Sequence, residues 1–218
     1  MTRGLVALGD SITLGEGGSV LGVTALSWAQ WLARALDLPY SCYARNGASV
    51  SDVLRDQLPR VRPGHDLACL YAGVNDVRGP GFDPAAYERD LLAVALGLGE
   101  RSERVLLCTL PLDLGRPPAA PKPAVANAAV ERVAASTGAA VCRLDDLSGW
   151  VELWPDAVHP TAVGQLAIAD RAARALGAVV RPSDLVEGPH GRRERLGHLP
   201  TYVRAMIQER VRGLTERP

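Results

Sequence analysis

The stretch LVALGDSITLG, residues 5–15, has the pattern of a buried strand that ends in a glycine, an acid and a hydroxyl. Residues 5–8 are all apolar, and Gly9, Asp10 and Ser11 follow without a break. A loop after a strand commonly holds a glycine or an aspartate, but it has no general need of a serine at the strand tip. The role of Ser11 therefore depends on which other residues the fold brings beside it.

Four more apolar runs resemble the first, and helical patterns separate them. The predicted strands are 4–9, 40–44, 66–73, 104–110 and 139–144. Continuous apolar character is typical of strands buried on both faces of a parallel sheet. The predicted helices are 25–36, 50–58, 84–98, 123–137 and 161–176. This alternation predicts an α/β fold, with a doubly wound, five-stranded parallel sheet and right-handed crossovers.

The composition and charge of the chain limit the partners and the cellular location that we expect. The chain has 218 residues, 47% of them hydrophobic, and a formal net charge of zero. A neutral balance argues against nucleic acid or an anionic membrane as the main partner. The sequence has no apolar run of about 18 residues, so we expect no membrane insertion, and the first strand begins too early for a secretory leader. These features predict a cytoplasmic protein.

The four cysteines are predicted to be structural. Each falls in a different predicted strand, and their spacing matches neither a metal site nor a redox motif. We therefore expect small buried side chains and neither a metal nor a cofactor held by thiols. The residues are Cys42, Cys69, Cys108 and Cys142.

The last part of the chain differs from the rest. Residues 178–218 are expected to form an extension to a main domain of residues 1–177, because the strand and helix pattern loosens there. Within the extension, a helix over about 201–213 is predicted to carry one apolar side, formed by Val203, Ile207, Val211 and Leu214. This side could pack on the main domain or on a second copy in a homo-oligomer. Interleaved acids disfavour a membrane-surface helix.

Nucleotide-binding motifs are absent or incomplete. GGSVLGVT, residues 17–24, has the glycines and the threonine of a phosphate-binding loop, but Val23 occupies the position of the essential lysine. No GxGxxG follows the first strand, which disfavours a dinucleotide site. Ser11 does not lie in GxSxG either, so the nucleophile elbow of α/β-hydrolases is also absent.

Three other short segments follow predicted strands in the same way as Ser11. They are NGAS at 46–49, GVND at 73–76 and, after the fifth strand, DAVHP at 156–160. In a doubly wound sheet, ligands bind outside the carboxyl ends of the strands. We therefore expect all these segments to meet at one edge of the sheet.

Together the segments supply the groups needed for acyl transfer. A serine hydroxyl becomes an effective nucleophile when a base within hydrogen-bond reach takes its proton, and His159 is the candidate base for Ser11. Asp156 is placed to hold the imidazole in one tautomer. Gly47 and Asn75, with the N–H of Ser11, can donate to the oxyanion. A glycine at 47 would also let the substrate approach the backbone. Taken singly, each residue is as well explained by a helix cap or a turn, but the set is not.

These four segments resemble the four signature blocks of the SGNH (GDSL-type) hydrolases, which are serine esterases and lipases. The resemblance covers roughly residues 4–176, with Ile12 in place of the leucine of the family name. It implies a three-layer, flavodoxin-like fold and catalysis without a metal or another cofactor. It also implies Ser11 as nucleophile, Asp156 and His159 as its partners, and an oxyanion hole of Ser11, Gly47 and Asn75.

The substrate is expected to be a small-molecule or sugar ester with a short acyl or O-acetyl group. Leu14, with Val20, Leu21 and Val23, is predicted to line an acyl pocket, and Arg78 lies in a segment, 77–83, predicted to wall its other side. Trp154 could line the pocket or pack in the core. His65 is expected to be exposed at the opposite edge of the sheet. The leading function is ester hydrolysis; an acyltransferase with the same site and a non-catalytic binding module are the alternatives.

Overall fold

The protein is built on five parallel strands. The computed structural model describes residues 4–15, 19–186, 200–205 and 207. The strands are β1 (Leu5–Gly9), β2 (Tyr40–Cys42), β3 (His65–Tyr71), β4 (Ser102–Cys108) and β5 (Ala140–Cys142). They form one sheet in the order β2-β1-β3-β4-β5. This order is the flavodoxin-like doubly wound arrangement, so the predicted fold class is confirmed.

Helices cover both faces of the sheet. They are α1 (Ser11–Leu14), α2 (Trp28–Ala35), α3 (Val50–Asp52), α4 (Val74–Arg78), α5 (Pro84–Gly99), α6 (Lys122–Thr137) and α7 (Ala162–Ala175). Helix α3 continues as a π-helical segment, Val53–Gln57, and a 3₁₀ turn, Leu58–Arg60. A further 3₁₀ turn spans Pro182–Leu185. Helix α2 packs with α7, and α5 packs with α3 and α6, which gives three layers.

The register of the two central strands decides where the polar segments lie. Strand β1 pairs with β3 along its whole length, from Leu5 opposite Leu67 to Gly9 opposite Tyr71. The two strands therefore end level with each other. The segment that holds Ser11 and the segment after β3 consequently leave the sheet side by side at its carboxyl edge.

The core anchors the first short helix. The side chains of Trp28 and Tyr71 are fully buried and meet edge to face, with ring centroids 6.4 Å apart. The indole N–H of Trp28 donates to the Thr13 hydroxyl over 3.3 Å, and Thr13 in turn reaches the carbonyl of Tyr71. Helix α1, which begins at Ser11, is therefore fixed to both the sheet and α2.

Several details differ from the sequence prediction. His65 was expected to be exposed, but only 8% of it is exposed, because β3 begins one residue earlier than predicted and His65 is its first residue. The predicted helix at 25–36 begins at Trp28, since the Ser27 hydroxyl accepts from the N–H of Gln30 and caps it there. Helices α1 and α4 were not predicted, because four or five residues are too short to show helical periodicity.

The cysteines lie where the pattern placed them, one in each of four strands. Cys69, Cys108 and Cys142 are buried, whereas Cys42 on the edge strand β2 is partly exposed. All four are free thiols.

Only the beginning of the predicted C-terminal helix can be assessed. Residues 200–205 are helical, and the ring of Tyr202 contacts that of Trp150 edge to face, with centroids 6.0 Å apart. Residues 208–218, including Val211 and Leu214 of the predicted apolar side, lie outside the described part of the chain. Among the described residues, no helix is long and apolar enough to cross a membrane.

Candidate active site

Ser11 lies at the sharp turn between β1 and α1. Gly9 ends the strand with a φ of +146°, and a Cβ there would lie 2.1 Å from the carbonyl oxygen of Tyr71. Only glycine can therefore end β1 in this way. Asp10 caps α1, and its Oδ1 accepts from the N–H of Ile12 over 3.0 Å. As the first residue of the helix, Ser11 has an N–H that no carbonyl of the same helix can accept.

Two buried amide side chains hold this turn. Gln57 accepts from the N–H of Gly9 and donates to its carbonyl, both over 2.9 Å, and so holds the last residue of β1. Gln165 donates to the carbonyl of Ile12 over 2.9 Å and accepts from the N–H of Trp28 over 2.8 Å. Each of these bonds is between buried groups, so their loss would leave unsatisfied polar atoms and loosen the turn.

The side chains of Ser11, His159 and Asp156 form a hydrogen-bonded chain. Ser11 Oγ lies 3.1 Å from His159 Nε2, and His159 Nδ1 lies 2.6 Å from Asp156 Oδ2. With Nδ1 protonated and donating to the carboxylate, Nε2 is left to accept from the Ser11 hydroxyl. This arrangement can move a proton from the hydroxyl to the imidazole. Residues 148 positions apart in the chain are thus in contact.

Asp156 is held ionised by its own loop. Burial alone would raise its pKa, but the bonds from the His159 ring and from the N–H groups of Val158 and His159 outweigh burial, so the pKa of Asp156 is lowered. Those two N–H groups donate to Oδ1 over 2.9 and 3.0 Å, which leaves Oδ2 for the ring. One carboxylate thus both shapes the loop and orients the imidazole.

The loop after β4 supports the histidine loop. The N–H of Gly115 donates to the carbonyl of Ala157 over 2.9 Å. Ala157 lies between Asp156 and His159 and has a φ of +52°, a conformation that non-glycine residues adopt at some cost in strain. The bond from Gly115, with the bonds inside the loop, holds this conformation and therefore the position of the ring.

Gly47 and Asn75, which follow β2 and β3, form one unit through Ala48. Gly47 has a φ of +72°, and a Cβ there would meet no protein atom within 4 Å. The backbone conformation therefore favours glycine, since another residue would be strained there, and the space in front of Gly47 is open. The side-chain amide of Asn75 donates to the carbonyl of Ala48 over 3.1 Å, which fixes the amide beside the Gly47 turn and leaves its second N–H for another acceptor.

Asp76 has a structural position behind Asn75. Its carboxylate accepts from the N–H of Val50, at the start of α3, with the shorter contact at 3.1 Å. Burial raises the pKa of Asp76, and the bond from Val50 opposes this effect in part. Asp76 thereby ties α4 to the segment that follows Gly47.

The predicted substrate contacts differ in their exposure to solvent. Leu14 ends α1 with 46% of its surface exposed, and Arg78 is exposed at the end of α4, one turn after Asn75. Trp154 is half-buried on the histidine loop and packs on the core. The assignment of Val20 to the wall of an open pocket was wrong because only 6% of it is exposed, and so was that of Val23, which is fully buried. It pairs with Val20 in a short bridge that packs inward.

Comparison with known families identifies the family of the chain. The profile of the GDSL-like Lipase/Acylhydrolase family matches residues 7–167, which include the serine turn, the Gly47 and Asn75 unit and the histidine loop. The chain belongs to this family. It is therefore a carboxylic ester hydrolase, a class whose substrates are small-molecule or sugar esters. No curated protein sequence matches the chain.

Solved structures share this fold of the GDSL-like family at low sequence identity. The acetyl xylan esterase Axe2 from Geobacillus stearothermophilus is 20% identical, with a TM-score of 0.63 over 81% of this chain and 97% of that one. A tryptophan-to-isoleucine variant of the same enzyme is 19% identical, with a TM-score of 0.64 over 83% of this chain and 98% of that one. LAE5, an alpha/beta hydrolase from the metagenome of Lake Arreo in Spain, is 20% identical, with a TM-score of 0.64 over 82% of this chain and 97% of that one.

Sequence reasoning missed the residues that hold the site of this GDSL-like hydrolase together. Gln57 and Gln165 are 2% and 3% exposed, although a glutamine in a helix is ordinarily placed on the surface. The signal available was their position: each falls on the apolar side of its helix. Their partners are backbone atoms of the serine turn, which no spacing rule predicts.

Proposed function

We propose that the protein hydrolyses esters of short acyl groups through an acyl-enzyme on Ser11. The observation that carries the proposal is the hydrogen-bonded chain from Ser11 through His159 to Asp156. Gly47 and Asn75 lie at the same edge of the sheet and supply the oxyanion donors.

In the first step, Ser11 Oγ bonds to the ester carbonyl carbon while its proton passes to His159 Nε2. The carbonyl oxygen becomes an oxyanion that accepts from the N–H of Ser11, the N–H of Gly47 and the Asn75 amide. The alcohol then leaves with the proton from His159, and the acyl group remains on Ser11. Water, deprotonated by His159, attacks the acyl carbon of the acyl-enzyme. The bond from that carbon to Ser11 Oγ then breaks, His159 returns the proton to Oγ, and the acid leaves.

Water is the acceptor that the site favours. The side chains of His159 and Asp156 are 34% and 24% exposed, so solvent can reach the base after the alcohol has left. An acyltransferase has to exclude water from the same place. We therefore propose water as the main acyl acceptor. When an alcohol or an amine is added to the assay, the transferred acyl product should be minor relative to the free acid.

Short acyl or O-acetyl groups are the proposed substrates. Several structures with the same fold are of one acetyl xylan esterase, Axe2, which supports an O-acetylated sugar as the substrate class. Three related Axe2 structures are catalytic mutants that replace a serine, an aspartate or a histidine, and the aspartate lies three positions before the histidine, as in Asp156 and His159. We propose Leu14 as a contact for the acyl group, and Arg78 and Trp154 as contacts for the alcohol part.

A chain-length series tests the substrate class. We expect kcat/KM for nitrophenyl esters to be highest for acetate or propionate and to fall on the order of tenfold or more by octanoate. The fall is expected because Leu14 is the one apolar side chain at the serine turn that we assign to the acyl group. Acetylated xylo-oligosaccharides, assayed beside the series by release of acetate, should be deacetylated. A maximum at octanoate or beyond would contradict the short-acyl assignment and leave the hydrolytic mechanism intact.

Asn75 provides a second test. Asn75→Ala should lower kcat by about 10²–10³ with little change in KM, because the amide stabilises the oxyanion rather than the bound ester. Gln30→Ala, which removes an amide from α2 outside the site, is the matched control and should leave kcat unchanged. A folded Asn75→Ala variant with kcat within about threefold of the wild type would exclude the oxyanion role.

A further inference from the structure

Asp10 is a buried acid that the proposed mechanism does not use. It precedes Ser11 directly and none of its surface is exposed. Its Oδ1 accepts from the N–H of Ile12. Its Oδ2 is also buried and has no hydrogen-bond partner among the residues that the structure describes. A carboxylate with one oxygen unsatisfied in the interior is costly, whereas a neutral carboxylic acid is much less so.

The surroundings of Asp10 favour the neutral form. Burial raises its pKa to about 7, although the Ile12 N–H and the nearby His159, when charged, act in the opposite direction. The carboxyl of Asp76, from α4, raises it further. The other titratable groups that interact with Asp10 are the buried hydroxyls of Tyr71 on β3 and Tyr87 on α5, and neither can supply a compensating positive charge.

We propose that Asp10 is a positioning residue that works as a neutral carboxylic acid: Oδ1 fixes the turn that presents Ser11, and the bound proton keeps a second negative charge away from Ser11 and His159. This inference rests on the proposed function for its effect on turnover, but the protonation of Asp10 is independent of it. Asp156 remains the single anion that pairs with the imidazole.

Two consequences of ionised Asp10 explain why the proton matters. A negative charge there would stabilise the cationic form of His159, and a protonated imidazole cannot take the proton of Ser11. The same charge would lie one residue from the Ser11 N–H and would oppose the oxyanion that forms in front of it. Both effects lower turnover in the range of pH where the proton leaves Asp10.

The test on activity uses the neutral isostere. Asp10→Asn keeps the acceptor for Ile12 and cannot ionise, so it should retain kcat/KM near the wild-type value in mild acid. The ratio of variant to wild-type kcat/KM should then rise on the order of fivefold between about pH 5 and about pH 9. Asp10→Ala, which cannot ionise and also removes the cap, should have a kcat roughly tenfold below that of Asp10→Asn at every pH.

The matched control is Asp66→Asn. Asp66 likewise accepts from a backbone N–H, that of Gly4 over 2.7 Å, but it lies at the amino edge of the sheet. The ratio of Asp66→Asn to wild-type kcat/KM should not change with pH. A ratio of Asp10→Asn to wild-type kcat/KM that does not change with pH would overturn the inference, because it means that a charged Asp10 is harmless. A loss of 10² or more in the activity of Asp10→Asn would also overturn it, because it means that the charge is required.

Thermal unfolding tests the protonation state without any substrate. Folding raises the pKa of Asp10 from 3.8 to about 7. The stability that the bound proton confers is therefore complete below pH 3.8, the pKa of the unfolded chain, and is lost as the pH rises through about 7, the pKa of the folded protein. The Tm of Asp10→Asn minus that of the wild type should therefore increase between about pH 4 and about pH 8. A constant difference would overturn the inference even if esterase activity is confirmed, and an increase would support it even if the hydrolysis assay fails.

Discussion

Replacement of Ser11 by alanine is expected to reduce kcat by on the order of 10⁴–10⁶, the largest effect of any single change in this protein. The variant should keep the fold, because the Ser11 side chain is not part of the core and the His159 ring is its one side-chain partner among the residues that the structure describes. It keeps the oxyanion donors as well, so some rate enhancement over water should remain. What it loses is the atom that forms the bond to the acyl carbon.

The measurement is steady-state hydrolysis of nitrophenyl acetate, with the Tm of each variant recorded to show that it is folded. Ser136→Ala is the matched control, since it removes an exposed hydroxyl at the end of α6. Its kcat should equal that of the wild type. If folded Ser11→Ala hydrolysed the ester at a rate close to the wild type, the nucleophile would have to be another group.

Asp156→Asn is expected to lower kcat by about 10⁴. The amide oxygen can still accept from the N–H groups of Val158 and His159, so the loop should keep its shape. Its NH₂ group, however, would face His159 Nδ1 in place of the carboxylate oxygen. The ring would then carry its proton on Nε2, which could no longer accept from the Ser11 hydroxyl.

The pH profile separates the roles of the aspartate and the histidine. The lowered pKa of Asp156 keeps this residue ionised throughout the range in which an imidazole titrates. In the wild type, kcat/KM should therefore fall on acidification as His159 takes up a proton, and a flat profile from about pH 5 to about pH 8 would contradict its role as the base. Asp146→Asn, a change at an exposed acid paired with Arg171, is the control and should leave the rate and the profile unchanged.

The sheet could be predicted from the sequence because its strands carry their signal locally. Residues 5–8 are apolar without interruption, and the strand they form is buried on both faces. The order of segments along the chain then placed Ser11, Asn75 and His159 at one edge through a general rule of doubly wound sheets. The four short motifs added specificity that none of them has alone.

The parts that could not be predicted depend on contacts between distant residues. Gln57 and Gln165 bond to the backbone of the serine turn, and nothing in their own segments indicates this. The burial of His65 depends on where β3 begins, and the burial of Val23 on its pairing with Val20. For Asp10, the sequence analysis assigned no role, and only the fold shows that its carboxyl is isolated from solvent.

The most direct test of an acyl-enzyme at Ser11 is labelling with a fluorophosphonate, followed by mass spectrometry of the digested protein. An activated serine should give one covalent adduct, located on the peptide that contains Ser11, and the reaction should be lost in Ser11→Ala and greatly slowed in His159→Ala. A folded wild-type protein that hydrolyses esters without labelling at Ser11, or that labels equally well without His159, would contradict the account.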